Sequence, residues 1–109
     1  AAGFSAIAMT NNELTRTVAV VNHEGFHLRA TTLLVNLARR FDSTITLVKG
    51  SYSVDAKSTP LQLLGLDAHQ GDRITLKANG HDAGEALDAL AELFASHFED
   101  PAGSRSEQE

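Results

Sequence analysis

Apolar residues recur along this chain with two alternating periods. The first block, residues 14–21, carries Thr17, Val18, Val20 and Val21, a short β-branched run that predicts a strand. Residues 28–41 switch to helical spacing, with Leu34, Leu37, Ala38 and Phe41 on one stripe. Period two returns at 44–49, where Ile45 and Leu47 alternate with Thr44 and Thr46. Gly50-Ser51 predicts a turn into a third strand, 52–55. Ser58 has the chemistry of an N-cap for a short helix over 60–66, with Pro60 accommodated in its first turn. A turn at 69–72 precedes a fourth strand, with Ile74, Leu76 and Ala78 on one face and Arg73, Thr75 and Lys77 on the other. Asp82 and Glu85 have capping-box spacing ahead of a last helix. That helix is expected to bury Ala83, Ala86, Leu87, Leu90, Phe94 and His97.

The predicted order is βαββαβα. Two long helices, each with one apolar stripe, must cover the same face of a sheet. The polar alternation of the fourth strand leaves the other face to water. The expected fold class is therefore α+β, an open-faced β-sandwich with a four-stranded antiparallel sheet and its helices packed on one face.

Length and composition narrow the picture. With 109 residues, 42% of them hydrophobic, the chain holds one globular core. The absence of cysteine removes disulfide and thiolate chemistry. A net charge of −5 argues against nucleic acid as partner. No apolar run approaches the roughly 20 residues of a membrane span. Residues 1–13 are expected to be a flexible N-terminal segment. Within it, 1–8 are set apart as an extraneous leader, because Met9 reads as a natural start. The domain is expected over 14–99, and the polar stretch 100–109 as a flexible tail.

Candidate chemistry concentrates at Asn22-His23-Glu24-Gly25-Phe26-His27-Leu28-Arg29. His27 falls between a strand and a helix. Free backbone N–H groups and the positive end of the helix dipole gather there, a place suited to a phosphoryl group. The backbone N–H groups of Leu28 and Arg29 are the expected cradle. The dipole and the Arg29 guanidinium both disfavour an imidazolium, so a neutral, nucleophilic ring is expected. His23, His69, His81 and His97 share no metal-ligand spacing, and neither a metal nor a bound cofactor is expected.

These residues bear a family resemblance. The chain resembles HPr, the histidine-containing phosphocarrier of the phosphoenolpyruvate-dependent phosphotransferase system. The family pattern Asn-x-x-Gly-Leu-His-Ala-Arg-Pro-Ala reads here Asn22-x-x-Gly25-Phe26-His27-Leu28-Arg29-Ala30-Thr31. The family's Val-x-x-Lys-Ser run appears as Val54-Asp55-Ala56-Lys57-Ser58, and its Gly-x-Asp as Gly80-His81-Asp82 with Ala86 a turn later. Three patterns in register over 14–98 make the resemblance specific.

The resemblance implies a carrier rather than an enzyme. His27 would accept a phosphoryl group on Nδ1 from phosphorylated enzyme I, with phosphoenolpyruvate as the upstream source. It would pass the group to an enzyme IIA-type acceptor of a sugar or nitrogen branch. Arg29 resembles the arginine that assists transfer. Ser58 resembles the serine that an HPr kinase/phosphorylase modifies in some bacteria. A cytoplasmic monomer is the expected state.

The chain also departs from the pattern. Ala30 stands where the family has proline, which loosens the helix entry. Leu28 is bulkier than the usual residue, and Thr59-Pro60 replaces apolar residues of a docking patch. Two other readings compete with the carrier: a regulatory docking protein of the same fold, controlled at Ser58, and a small-molecule-binding module in which His27 has no role.

Overall fold

The computed structural model describes residues 13–98. The expected leader 1–8 and tail 100–109 lie outside them. The elements are β1 (Glu13–Ala19), α1 (Leu28–Ala38), β2 (Thr44–Lys49), β3 (Tyr52–Asp55), α2 (Pro60–Leu64), β4 (Arg73–Asn79) and α3 (Ala83–Ala95). The four strands form one antiparallel sheet in the order β1-β4-β2-β3. This is the α+β open-faced sandwich that the periodicity implies.

Alternation fixes which face is covered. Ile45 and Leu47 of β2 and Ile74, Leu76 and Ala78 of β4 are buried on the inner face. They meet Ala30, Leu34, Val35 and Ala38 of α1, and Ala86, Leu90 and Phe94 of α3, in one core. The outer face carries Arg73 and Lys77, both exposed, and Thr17 opposite Thr75 with hydroxyls 3.4 Å apart. Because β4 lies between β1 and β2, α1 carries the chain over the sheet from one of its neighbours to the other.

Element ends differ from the sequence expectation in ways the hydrogen bonds explain. β1 stops at Ala19 rather than at residue 21. Val20 leaves the ladder and instead pairs with the turn, its N–H donating to Asp72 O and its carbonyl accepting from Gly71 N–H, both at 2.8 Å. α1 ends at Ala38, not at residue 41. The N–H groups of Arg40 and Phe41 donate to carbonyls three residues back, which tightens the last turn, while Phe41 still packs half-buried on the core. The same tightening at Gly65 and Leu66 shortens α2. Ser58 is not the cap of α2; Thr59 is, with its side chain accepting from Gln62 N–H. The Ser58 hydroxyl donates to Asp55 O at 2.7 Å instead. His97 is exposed and Phe98 is buried in its place. The chain reaches that position through left-handed conformations at both residues, with φ of 65° and 59°.

Asp82 is also not a capping-box residue, since its side chain makes no cap bond to α3. Its carboxylate crosses to the α1–β2 connection and accepts from Asp42 N–H at 2.8 Å, Ser43 N–H at 2.9 Å and the Ser43 hydroxyl. Gly80, at φ 150°, makes the close approach possible, because a Cβ there would lie 2.5 Å from Ser43 Oγ. His81 Nε2 adds a 3.0 Å contact to Asp42 Oδ2. Ligand-type atoms of Asp42, His81 and Asp82 lie within 4.8 Å of one another, but the cluster closes on itself through these bonds.

This tie makes stability depend on pH. The Ser43 hydroxyl, followed by the Asp42 N–H, lowers the Asp82 pKa from 3.8 to about 2. A carboxyl depressed in the native state adds stability that is complete above the unfolded value and lost as pH falls through the native one. The expected loss therefore runs from about pH 4 down to about pH 2. Hydrogen bonding to Asp42, then the charge of Asp82, raises His81 above 6.5. Its contribution is complete below that value and fades as pH rises past it. Asp82→Asn should lower the melting temperature at pH 7 and flatten its fall below pH 4, as read by circular dichroism melts across pH.

Candidate functional site

The site is built at the junction between the 20–27 connection and α1. His27 is the N-cap of α1, with extended backbone at φ −131° and ψ 174°. Its Nδ1 faces the helix and accepts from Ala30 N–H at 3.4 Å. Its carbonyl accepts from Thr31 N–H at 3.0 Å. Nδ1 therefore points at the helix N-terminus, and Nε2 is left as the ring's N–H position. The ring is half-buried, and Leu28 and Arg29 beside it are exposed. The N–H groups of Leu28 and Arg29 belong to the first turn and have no intrahelical acceptor. Among the described residues no carboxylate pairs with Arg29.

The loop before His27 is held from three sides. Asn22 is buried, its Nδ2 donating to Gly25 O at 2.7 Å, and Gly25 N–H returns to Asn22 O at 3.1 Å. Asn22 Oδ1 is buried without a partner among the described residues. Phe26 N–H donates to Ala68 O at 2.9 Å, and Gln70 Nε2 donates to Val21 O at 3.1 Å. The Phe26 ring enters an aromatic cluster at the end of α3, 6.0 Å from Phe94 and 5.8 Å from Phe98, edge-on to the latter.

The supporting 66–72 loop is itself braced. Lys49 Nζ donates to Leu66 O at 3.1 Å and Asp67 O at 2.9 Å, and lies 3.5 Å from Asp72. Asp72 accepts from His69 N–H, which with the Lys49 charge holds its carboxyl below the usual carboxylate range.

The helix start also accounts for two departures in sequence. Ala30 and Thr31 are both fully buried against the core. The Thr31 hydroxyl is satisfied by His27 O at 3.2 Å and Leu28 O at 3.0 Å, so its burial leaves no unpaired donor. Ser58 lies elsewhere, at the start of α2. Its carbonyl accepts from Arg39, the residue that follows α1, whose Nε also reaches Lys57 O at 3.1 Å. The sequence singled out His27, Leu28 and Arg29 but neither the Ala30 N–H nor the aromatic cluster. The first was legible only as a non-proline residue three positions into the helix, and the second only as an apolar residue past the helix end.

A half-buried imidazole thus caps a helix of an open-faced sandwich, with Nδ1 accepting from the Ala30 N–H. Comparison with known proteins gives the family. The family profile described as the PTS HPr component phosphorylation site matches residues 14–96, and the chain belongs to this HPr family. It is 42% identical over 88 residues to a phosphocarrier protein NPr of Shewanella violacea, covering 81% of this chain and 96% of the relative. It is 39% identical over 85 residues to a phosphocarrier protein HPr of Treponema pallidum, covering 78% and 96%. The crystal structure of HPr from Thermoanaerobacter tengcongensis superposes with a TM-score of 0.74 at 35% identity, over 80% of this chain and 98% of that one. Proteins of this family are phosphocarriers of the phosphotransferase system, not enzymes.

The geometry gives one check on the loop. Gly25 has φ 67°, and a Cβ there would lie 2.5 Å from Ala68 O and 2.9 Å from His69 Cα. Backbone atoms cannot yield as side chains do. Gly25→Ala should cost at least about 2 kcal/mol in urea denaturation, from strain and clash together.

Proposed function

We propose that the chain carries a phosphoryl group on His27 Nδ1, taken from phosphorylated enzyme I and given to an enzyme IIA-type acceptor. The observation that supports this reading best is the orientation of His27, whose Nδ1 accepts from the Ala30 N–H in the first turn of α1. In the forward step the Nδ1 lone pair attacks phosphorus. A new P–N bond forms as the bond to the donor breaks, and the donor leaves with the bonding pair. The ring proton stays on Nε2. The cradle is the N–H groups of Leu28 and Arg29, where the helix dipole and the Arg29 guanidinium offset the added charge. The reverse attack by an acceptor restores the free imidazole, so the protein is regenerated rather than consumed.

Partner docking in this reading uses exposed apolar area near the site. Leu28 on α1 and Leu61 on α2 are 57% and 71% exposed, and the two helices pack against each other. Both an HPr and an NPr are among the relatives, so the sugar and nitrogen branches are both open as destinations. Among the described residues no helix is long and apolar enough to cross a membrane. A cytoplasmic monomer that needs no bound cofactor or metal completes the proposal. Ser58 enters only as a modification site for an HPr kinase/phosphorylase; the bond of its hydroxyl to Asp55 favours a structural role instead.

Intact mass after incubation with phosphoenolpyruvate and enzyme I tests the reading. The expected result is one acid-labile phosphoryl group on the wild type and none on His27→Ala. No gain with a cognate enzyme I would overturn it in favour of a docking protein that works without His27. Arg29→Ala should still accept the group, at a rate lower by about tenfold, as expected from losing one charge-assisted contact.

A further inference from the structure

Position 30 is proline in the family pattern and alanine here. The difference is usually a matter of backbone stiffness, but it also changes the donor set. Proline has no N–H. Ala30 has one, and in this chain it donates to His27 Nδ1 at 3.4 Å. The added donor therefore reaches the atom on which the phosphoryl group is proposed to sit. We propose that the Ala30 N–H is a positioning group for phosphotransfer at His27, which caps the free nucleophile and holds a phosphoryl oxygen once the group has arrived. This rests on the carrier reading of His27.

The Ala30 N–H changes acceptor when Nδ1 reacts. In the free protein the Nδ1 lone pair accepts the Ala30 N–H, through a long bond between neutral groups. Phosphorylation uses that lone pair to form the P–N bond, so the N–H loses its acceptor. Ala30 is fully buried, so water has little access to the vacated N–H. The nearest new acceptors are the phosphoryl oxygens attached to the same nitrogen. The exchange replaces a long neutral bond by a short charge-assisted one. The extra donor thus favours the phosphorylated form and slows hydrolysis of the P–N bond. Ala30 is the third residue of α1, where proline fits the helix geometry, so the N–H can be removed by substitution without disrupting the helix itself.

The test compares three proteins: wild type, Ala30→Pro and Ala30→Gly. Each is phosphorylated with enzyme I and phosphoenolpyruvate, and separately with phosphoramidate, which transfers its phosphoryl group to the ring and releases ammonia. The half-life of the phosphohistidine at pH 7 is followed by mass spectrometry. Ala30→Pro should shorten it by about tenfold, the scale of one charge-assisted hydrogen bond. Ala30→Gly keeps the N–H and should keep the half-life, although it weakens the helix. Equal half-lives in wild type and Ala30→Pro would overturn the proposal.

A second measurement needs no variant. In the wild type the Ala30 amide proton should move strongly downfield on phosphorylation and show a through-bond coupling to phosphorus. An Ala30 amide that stays in place would overturn the proposal even if Ala30→Pro fails to fold. Phosphorylation by phosphoramidate but not by enzyme I would sink the carrier reading alone, and the amide signal would still decide the role of Ala30. Phosphorylation found only on Nε2 would overturn both.

Discussion

The site depends on one side chain meeting two demands. His27 must end the irregular segment after β1 and begin α1, and its imidazole does so as the helix N-cap. An N-cap side chain has to present a lone pair to the first-turn N–H groups. A nucleophile for phosphorus has to present a lone pair toward a place where negative charge is welcome. Both requirements are met by the same rotation of the ring, with Nδ1 toward Ala30. Folding the helix start and orienting the His27 ring are thus one event.

The cap alone does not hold the ring firmly, because its 3.4 Å bond is long. Rigidity comes from the residue before it. Phe26 is fixed by its N–H to Ala68 and by its ring against Phe94 and Phe98. The 66–72 loop that supplies Ala68 is braced in turn by Lys49 and Asp72. The imidazole is therefore positioned from behind by the buried Phe26 and its braced loop, while Leu28 and Arg29 in front remain exposed. Preorganisation lies in the support and access in the face.

The departures from the family pattern change how the helix start is held. With alanine and threonine in place of proline and alanine, the entry loses a preset φ and gains hydrogen bonds. The Ala30 N–H reaches Nδ1, and the Thr31 hydroxyl bonds two carbonyls of the first turn. On the far side of the molecule, Asp82 joins the α1–β2 connection to the start of α3 through three donors. Near the helix start, Leu28 and Leu61 are exposed.

Much of this was legible in the chain. Period two in β2 and β4 and helical spacing in α1 and α3 fixed the element types, and their single apolar faces required helices on one side of an open sheet. His27 and Arg29 could be found because a strand, a glycine turn and a helix start leave the N–H groups between them. Local sequence could not decide side-chain partners that lie far along the chain. Ser58 and Thr59 are equally good caps by chemistry, and Ser58 was drawn to Asp55. Asp82 had capping-box spacing, but the folded chain brought Ser43 and Asp42 closer to it than its own helix. Phe98 lay beyond the helical period, and only the position of Phe26 in space gave that ring somewhere to be buried. The sequence by itself determined the elements, the covered face and the place of His27 at a helix start, because periodicity and local backbone chemistry suffice for those. Tertiary structure decided which donor reaches Nδ1, which carboxylate ties which loop and what holds the site from behind, because those contacts join residues that only the closed fold makes neighbours.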